Sequence, residues 1–158
     1  MAIIPLTNGR STIVDDADAA IASAHKWFAH AGTHTIYVRR TTDQLGLHRF
    51  LLDCPSNLQV DHINGDGLDN RRINLRTATI RQNQYNRRKS MQGSSRYKGV
   101  VFVRTVSAKP WKARITIDGK LRQIGYFADE IDAARAYDSV AREEYGDFAY
   151  LNFGGSQA

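Results

Sequence analysis

Residues 57–86 read NLQVDHINGDGLDNRRINLRTATIRQNQYN, and the fold turns on how this stretch is cut. LQVDHI (58–63) has the make-up of a short strand, NGDGLDNRR (64–72) is dense in turn formers, and INLR (73–76) reads as a second short strand. TATIRQNQYNRR (77–88) then reads as a helix opening at a Thr cap. Strand, loop, strand and helix thus follow one another within thirty residues.

Chemistry-bearing residues recur along that frame. Asp61 and His62 are adjacent at the end of the first strand, Asn74 lies 13 positions after Asp61, and Asn83 lies 22 after it on the predicted helix. Strand alternation sends the Asp61 and His62 side chains to opposite sides, so the two do different jobs. A carboxylate can hold a metal while the neighbouring imidazole addresses water. Phosphodiester hydrolysis needs such a set. A hard cation such as Mg²⁺ takes oxygen ligands, keeps several waters and accepts one or two protein groups, which suits the Asp61 carboxylate and the Asn83 amide oxygen. His62, with an ordinary pKa of roughly 6.5, is suited to take a proton from water. Asn74 is expected to fix the loop backbone by side-chain hydrogen bonding. The competing reading is a plain hairpin whose Asp, Asn and Gly residues only make turns.

Residues 47–86, LHRFLLDCPSNLQVDHINGDGLDNRRINLRTATIRQNQYN, resemble the HNH endonucleases of the ββα-metal type, in their phage and intron-borne homing or nicking branch. The marks HR, DHINGD, DNR, NLR and QN stand in order. The resemblance implies Asp61 and Asn83 as metal ligands, His62 as general base and Asn74 as the structural asparagine, together the catalytic set. Many family members carry a second histidine as the helix ligand; with Asn83 there, Mg²⁺ or Mn²⁺ is expected rather than Zn²⁺. His48 of LHRF is read as packing or substrate positioning. His25, His30 and His34 come without paired carboxylates or cysteines and are read as ordinary polar or packed side chains.

The chain's 158 residues can bury one ordinary core or two small ones. Its single cysteine, Cys54, excludes an internal disulfide and a Cys-rich zinc knuckle. No apolar run approaches the ~20 residues that span a bilayer, and the start has no basic segment leading into an apolar one. A protein of the cytoplasm of a bacterial or phage-infected cell, with no membrane partner, is expected.

The net charge of +6 is unevenly spread. Residues 70–117 contain no Asp or Glu and thirteen Lys or Arg, whereas residues 1–69 sum to −3 and residues 118–158 to −4. An acid-free window of this length points to a polyanion, most naturally a nucleic-acid backbone. Arg71, Arg72, Arg76, Arg87 and Arg88 are candidate DNA contacts within it, the last two for phosphates.

After the polar stretch KSMQGSS (89–95), the segments YKGVVFVRT (97–105), WKARITID (111–118) and KLRQIGYF (120–127) read as strands, the last two joined at Asp118-Gly119. Residues 128–146, ADEIDAARAYDSVAREEYG, read as a helix with an apolar stripe of Ile131, Ala134, Tyr137, Val140, Ala141 and Tyr145, closed at Gly146. Through YKGV, WKARI, IGYF, AARAYD and LNF, residues 96–153 resemble the AP-two or ethylene-response-factor DNA-binding domain. In that family a three-stranded sheet lies in the DNA major groove, which is wide enough to admit it. If Trp111, Ala113, Ile115 and Ile117 pack on the helix, Lys112, Arg114 and Thr116 point at DNA. Lys98 and Arg104 on the first strand and Gln123 on the third join them.

Residues 1–50 are expected to form a supporting module, with VDDADAAIA (14–22) and SAHKWFAH (23–30) as helix and HTIYVRR (34–40) as a half-buried strand. The expectation is therefore an α+β chain: a ββα-metal (HNH) nuclease motif at 51–89, a linker at 90–95, a three-stranded antiparallel sheet packed on one helix at 96–153, and a tail at 154–158. Its expected activity is metal-dependent hydrolysis of double-stranded DNA, by nicking or double-strand cleavage, as monomer or dimer. The resemblance implies 5′-phosphate and 3′-hydroxyl ends. A non-catalytic DNA-binding regulator with a vestigial HNH unit is the alternative, and RNA cleavage fits less well because the narrow A-form groove would not admit the sheet.

Overall fold

The computed structural model describes residues 1–32, 35–89, 93–105 and 108–154. His34, residues 90–92 of the linker and the tail beyond Gly154 lie outside the described residues. Helices mix with small antiparallel sheets, an α+β architecture, and the chain divides into two compact units, Met1–Gln84 and Tyr85–Ala158. No helix among the described residues is long and apolar enough to cross a membrane.

Unit 1 opens with the hairpin β1 (Ala2–Pro5) and β2 (Ser11–Val14), then α1 (Asp16–Ser23) and a second hairpin, β3 (Trp27–Ala31) and β4 (Ile36–Arg40). The short α2 (Leu47–Leu51) leads to β5 (Gln59–His62), which pairs with β6 (Leu75–Ala78) before α3 (Ile80–Tyr85). One core serves all of this: Ile4, Leu6, Val14, Trp27, Val38 and Leu47 pack with Leu51, Val60 and Leu75. The first fifty residues therefore bury their apolar faces together with the segment that follows, not in a core of their own.

Two local expectations are corrected. SAHKWFAH does not continue the helix: α1 stops at Ser23, and Trp27–Ala31 pairs with Arg40–Ile36. Trp27 is fully buried, and its indole donates to Ala22 O (2.7 Å), so the ring is held against the end of α1 while its backbone joins a sheet. An aromatic that gains both burial and a ladder overrides the weak propensity of the run around it. INLR is also only half strand. Arg72–Asn74 form a turn of 3₁₀ helix and the strand begins at Leu75, because Asn74 turns inward to bind the loop.

The loop between β5 and β6 rests on the N-terminal hairpins. Ile13 N donates to Leu68 O (2.9 Å), and Asn70 N donates to Ile13 O (2.8 Å), a parallel bridge from β2. Gly67 passes so close to the Ile36 carbonyl that a Cβ there would collide with it.

Unit 2 is an antiparallel sheet in the order β7 (Val100–Phe102), β8 (Trp111–Ile117), β9 (Lys120–Phe127), with α4 (Glu130–Tyr145) on one face. Asp118 and Gly119 both take positive φ at the β8–β9 turn, as a tight two-residue hairpin requires. Asp129 Oδ1 caps α4 by accepting from Ile131 N (2.7 Å) and Asp132 N (3.2 Å). The buried stripe of α4 is Ala133, Ala134, Tyr137, Asp138, Ala141 and Tyr145, whereas Ile131 stays 37% exposed. Asp138 was not part of the expected stripe; its carboxylate accepts from Asn152 N, Asn152 Nδ2 and Phe153 N and so fastens the C-terminal segment.

Candidate active site

β5 carries the central pair, and the structure gives each member different company. Asp61 lies opposite Arg76 in the β5–β6 register, and Arg76 donates to Asp61 Oδ2 from Nε (2.9 Å) and Nη2 (2.7 Å). Asp61 is 6% exposed, so its charge is compensated where water cannot do it. On the other side of the strand, His62 is equally buried, and its Nε2 lies 3.2 Å from Asn70 Oδ1.

The tautomer of His62 follows from what surrounds Asn70. Asn70 Nδ2 donates to Thr12 Oγ1 (2.9 Å) and Gly67 O (3.2 Å), which fixes the amide so that Oδ1 faces the imidazole. An amide oxygen only accepts, so Nε2 carries the proton and Nδ1 keeps the basic lone pair. Burial pushes the His62 pKa below its ordinary value, against the Asn70 hydrogen bond and the nearby Asp61, Asp66 and Asp69. The ring is consequently neutral at neutral pH, the form that can accept a proton.

Asn74 knits the loop together. Its Oδ1 accepts from Asn64 N (3.0 Å), and its Nδ2 donates to Asn64 Oδ1 (3.0 Å) and Asp69 O (2.8 Å). Asn83, on α3, donates from Nδ2 to Gln59 Oε1 (2.5 Å). Gln59 and Asp61 are two apart on β5 and share a face, so Asn83 stands over the face that carries Asp61. The Gln59 bond uses the nitrogen and leaves Oδ1 outside it. Asp61 and Asn83 offer only hard oxygen donors, a set that suits a divalent cation such as Mg²⁺ or Mn²⁺ and not a thiolate- or imidazole-seeking one. No cluster of three or more His, Cys, Asp or Glu suited to a metal occurs among the described residues.

A cavity of about 340 Å³ opens beside this face, lined among others by Tyr37, Arg39, His48, Gln59 and Asn83. His48 projects from α2 with its ring 5.1 Å from that of His62. Arg49, its neighbour in LHRF, donates to the carbonyls of Leu58 (2.7 Å), Cys54 (3.0 Å) and Pro55 (2.9 Å), which holds the approach to β5.

The proposed DNA-contacting cations divide into two groups. Arg71 pairs with Asp69 (2.6 Å), Arg72 with the buried Asp18 (2.8 Å), and Arg76 with Asp61, so these three are engaged within unit 1. Lys98 is also engaged: its ammonium donates to the carbonyls of Tyr85 (2.6 Å) and Arg87 (2.8 Å), and burial lowers its pKa to about 8. That inward position corrects the expectation that it reaches outward from the sheet. Arg87, Arg88, Arg104, Arg114 and Gln123 are exposed. Arg114 lies opposite Gln123, while Ala113 and Ile115 on either side of Arg114 are buried; Lys112 lies over the Tyr126 ring.

Thr12, Gln59 and Asn70 carry the surroundings of the site but were not singled out from sequence. Asn70 stood within the DNR mark, yet nothing in the order of residues said that its amide meets His62. Comparison with known proteins adds the lineage. The family model for HNH endonuclease matches residues 53–85. An uncharacterized HNH endonuclease of Acanthamoeba polyphaga mimivirus is 34% identical over 138 residues, which cover 84% of this chain and 69% of that protein. No solved structure matches the chain. HNH nucleases generally use a divalent metal and act on DNA, in keeping with the oxygen donors of Asp61 and Asn83. The matched segment holds Asp61, His62, Asn74 and Asn83, and the viral relative extends the likeness over most of the sequence: this chain belongs to the HNH endonuclease family.

Proposed function

We propose that the protein is a metal-dependent DNA endonuclease in which His62 activates water and Asp61 and Asn83 hold the cation, Mg²⁺ by preference. The observation that carries this reading is the buried His62 with its Nε2 against Asn70 Oδ1, beside a carboxylate and an amide on the neighbouring face. When bound, a divalent cation polarises the phosphate and stabilises the leaving oxygen. The chain's own residues do the rest. Nδ1 of His62 takes a proton from water, the resulting hydroxide attacks phosphorus, and the bond to the 3′ oxygen breaks; that oxygen takes a proton from solvent water, giving 5′-phosphate and 3′-hydroxyl ends. Arg76 holds the Asp61 carboxylate in place, and Asn74 holds the loop that carries Asn70.

Targeting is assigned to the sheet of unit 2, in the manner of the AP-two or ethylene-response-factor domain that its sequence resembles. Support comes from the exposed Arg114 and Gln123 facing each other across β8 and β9, with Ala113 and Ile115 on either side of Arg114 buried toward α4. Arginine suits guanine edges and glutamine suits adenine, while Arg87, Arg88, Arg104 and Lys112 supply phosphate contacts.

Nicking of supercoiled plasmid in Mg²⁺ tests the reading. His62→Ala is expected to lose roughly 10²- to 10⁴-fold in rate, and Asp61→Ala and a chelator each abolish cleavage. Wild-type rates in His62→Ala and Asp61→Ala would overturn the enzyme assignment in favour of a DNA-binding protein without catalysis.

A further inference from the structure

We propose that Thr12, on the N-terminal hairpin and fifty positions before His62, is a positioning residue that sets the tautomer and orientation of the general base through Asn70. The inference deepens the nuclease reading and rests on it.

A single run of hydrogen bonds leads from β2 to the imidazole. Thr12 Oγ1 donates its one proton to Leu68 O (2.7 Å). Having spent that proton, the hydroxyl can only accept, and it does so from Asn70 Nδ2 (2.9 Å). Asn70 Nδ2 gives its second proton to Gly67 O (3.2 Å), so both acceptors lie at the nitrogen end of the amide. A flipped Asn70 would set its oxygen against the Gly67 carbonyl. The orientation that remains points Oδ1 at His62 Nε2.

Polarity along this run has one direction, from the Leu68 carbonyl through Thr12 and Asn70 to a proton on Nε2. Thr12 and Asn70 are both 0% exposed, so neither can exchange its partner for water. A buried hydroxyl and amide cost free energy unless every bond is made, and valine would fill the Thr12 volume without that requirement. The backbone repeats the connection, since Ile13 bonds Leu68 and Asn70 on either side of Asp69. The N-terminal hairpin is thereby part of the catalytic arrangement and not only its support.

The test uses the full chain and four proteins: wild type, Thr12→Val, Thr12→Ser and His62→Ala. Thr12→Val is expected to lower kcat of plasmid nicking roughly 10- to 100-fold, the usual cost of removing a group that orients a functional histidine, with KM for DNA unchanged. Thr12→Ser, which keeps the hydroxyl, should restore kcat. Nitrogen NMR of the His62 ring supplies a readout that a merely structural role would not move: Nε2–H in the wild type, and a mixture with Nδ1–H in Thr12→Val. An Nδ1–H ring in the wild type overturns the proposal even if Thr12→Val fails to fold. So does wild-type kcat in Thr12→Val when His62→Ala is inactive. Wild-type activity in His62→Ala instead overturns the nuclease reading beneath it.

Discussion

The His48 ring packs against those of Tyr37 and His62, and its Nδ1 is a buried nitrogen with no hydrogen-bond partner among the described residues. Burial above all, then the charges of His62, Arg49 and Arg39, push its pKa down to about 3. In the unfolded chain the same group takes its proton near 6.5. Between those values the unfolded state binds the extra proton, so stability held by neutral His48 is complete above about pH 6.5 and is lost as pH falls toward 3. The thermal midpoint of the wild type should fall steeply from about pH 6.5 to 4, and His48→Gln, which cannot take up that proton, should flatten the slope; an unchanged slope would refute the assignment. At this scale Asp61, His62, Asn74 and Asn83 were legible because their chemistry is local to a recognisable order of residues. Thr12 and Asn70 were not. Their roles depend on a contact across 58 positions, which only folding creates.

Among the elements, α3 is the one on which the proposed cation site depends, since it carries Asn83 on only six residues. A helix this short is marginal by itself. A reciprocal cap starts it: Thr79 Oγ1 accepts from Gln82 N (3.2 Å), and Gln82 Oε1 accepts from Thr79 N (2.9 Å). Thr79→Ala should therefore cost about 1 kcal/mol of stability and raise the Mg²⁺ concentration needed for half-maximal nicking, read from thermal melts and a metal titration. An unchanged metal requirement would separate α3 from the cation. The Thr cap was visible in TATIRQN, as was the hairpin at Asp118-Gly119, because caps and tight turns are written in neighbouring residues. The end of α1 was not, since the strand identity of Trp27–Ala31 comes from pairing with β4 and from burial of one indole. The start of β6 was misplaced for a similar reason: Asn74 satisfies the loop before it satisfies a ladder.

Over the whole molecule, charge is distributed more unequally than +6 conveys. Met1–Gln84 hold nine Lys or Arg against eight Asp, whereas Tyr85–Ala158 hold thirteen against eight Asp or Glu. Arg71, Arg72 and Arg76 already answer carboxylates, and Lys98 answers backbone carbonyls. If Arg87, Arg88, Arg104, Lys112 and Arg114 each neutralise a phosphate, log K should fall against log salt with a slope of about −4 to −5. The double variant Arg87→Ala, Arg88→Ala should bring that slope about 2 closer to zero. Arg72→Ala should leave it unchanged while destabilising the fold, because it strands the buried Asp18 carboxylate. Fluorescence anisotropy on a short duplex between about 50 and 200 mM salt, alongside thermal melts of the same proteins, reads both quantities. A slope that responds to Arg72→Ala and not to the Arg87, Arg88 pair would move the DNA contact away from the sheet-bearing unit and onto the nuclease unit.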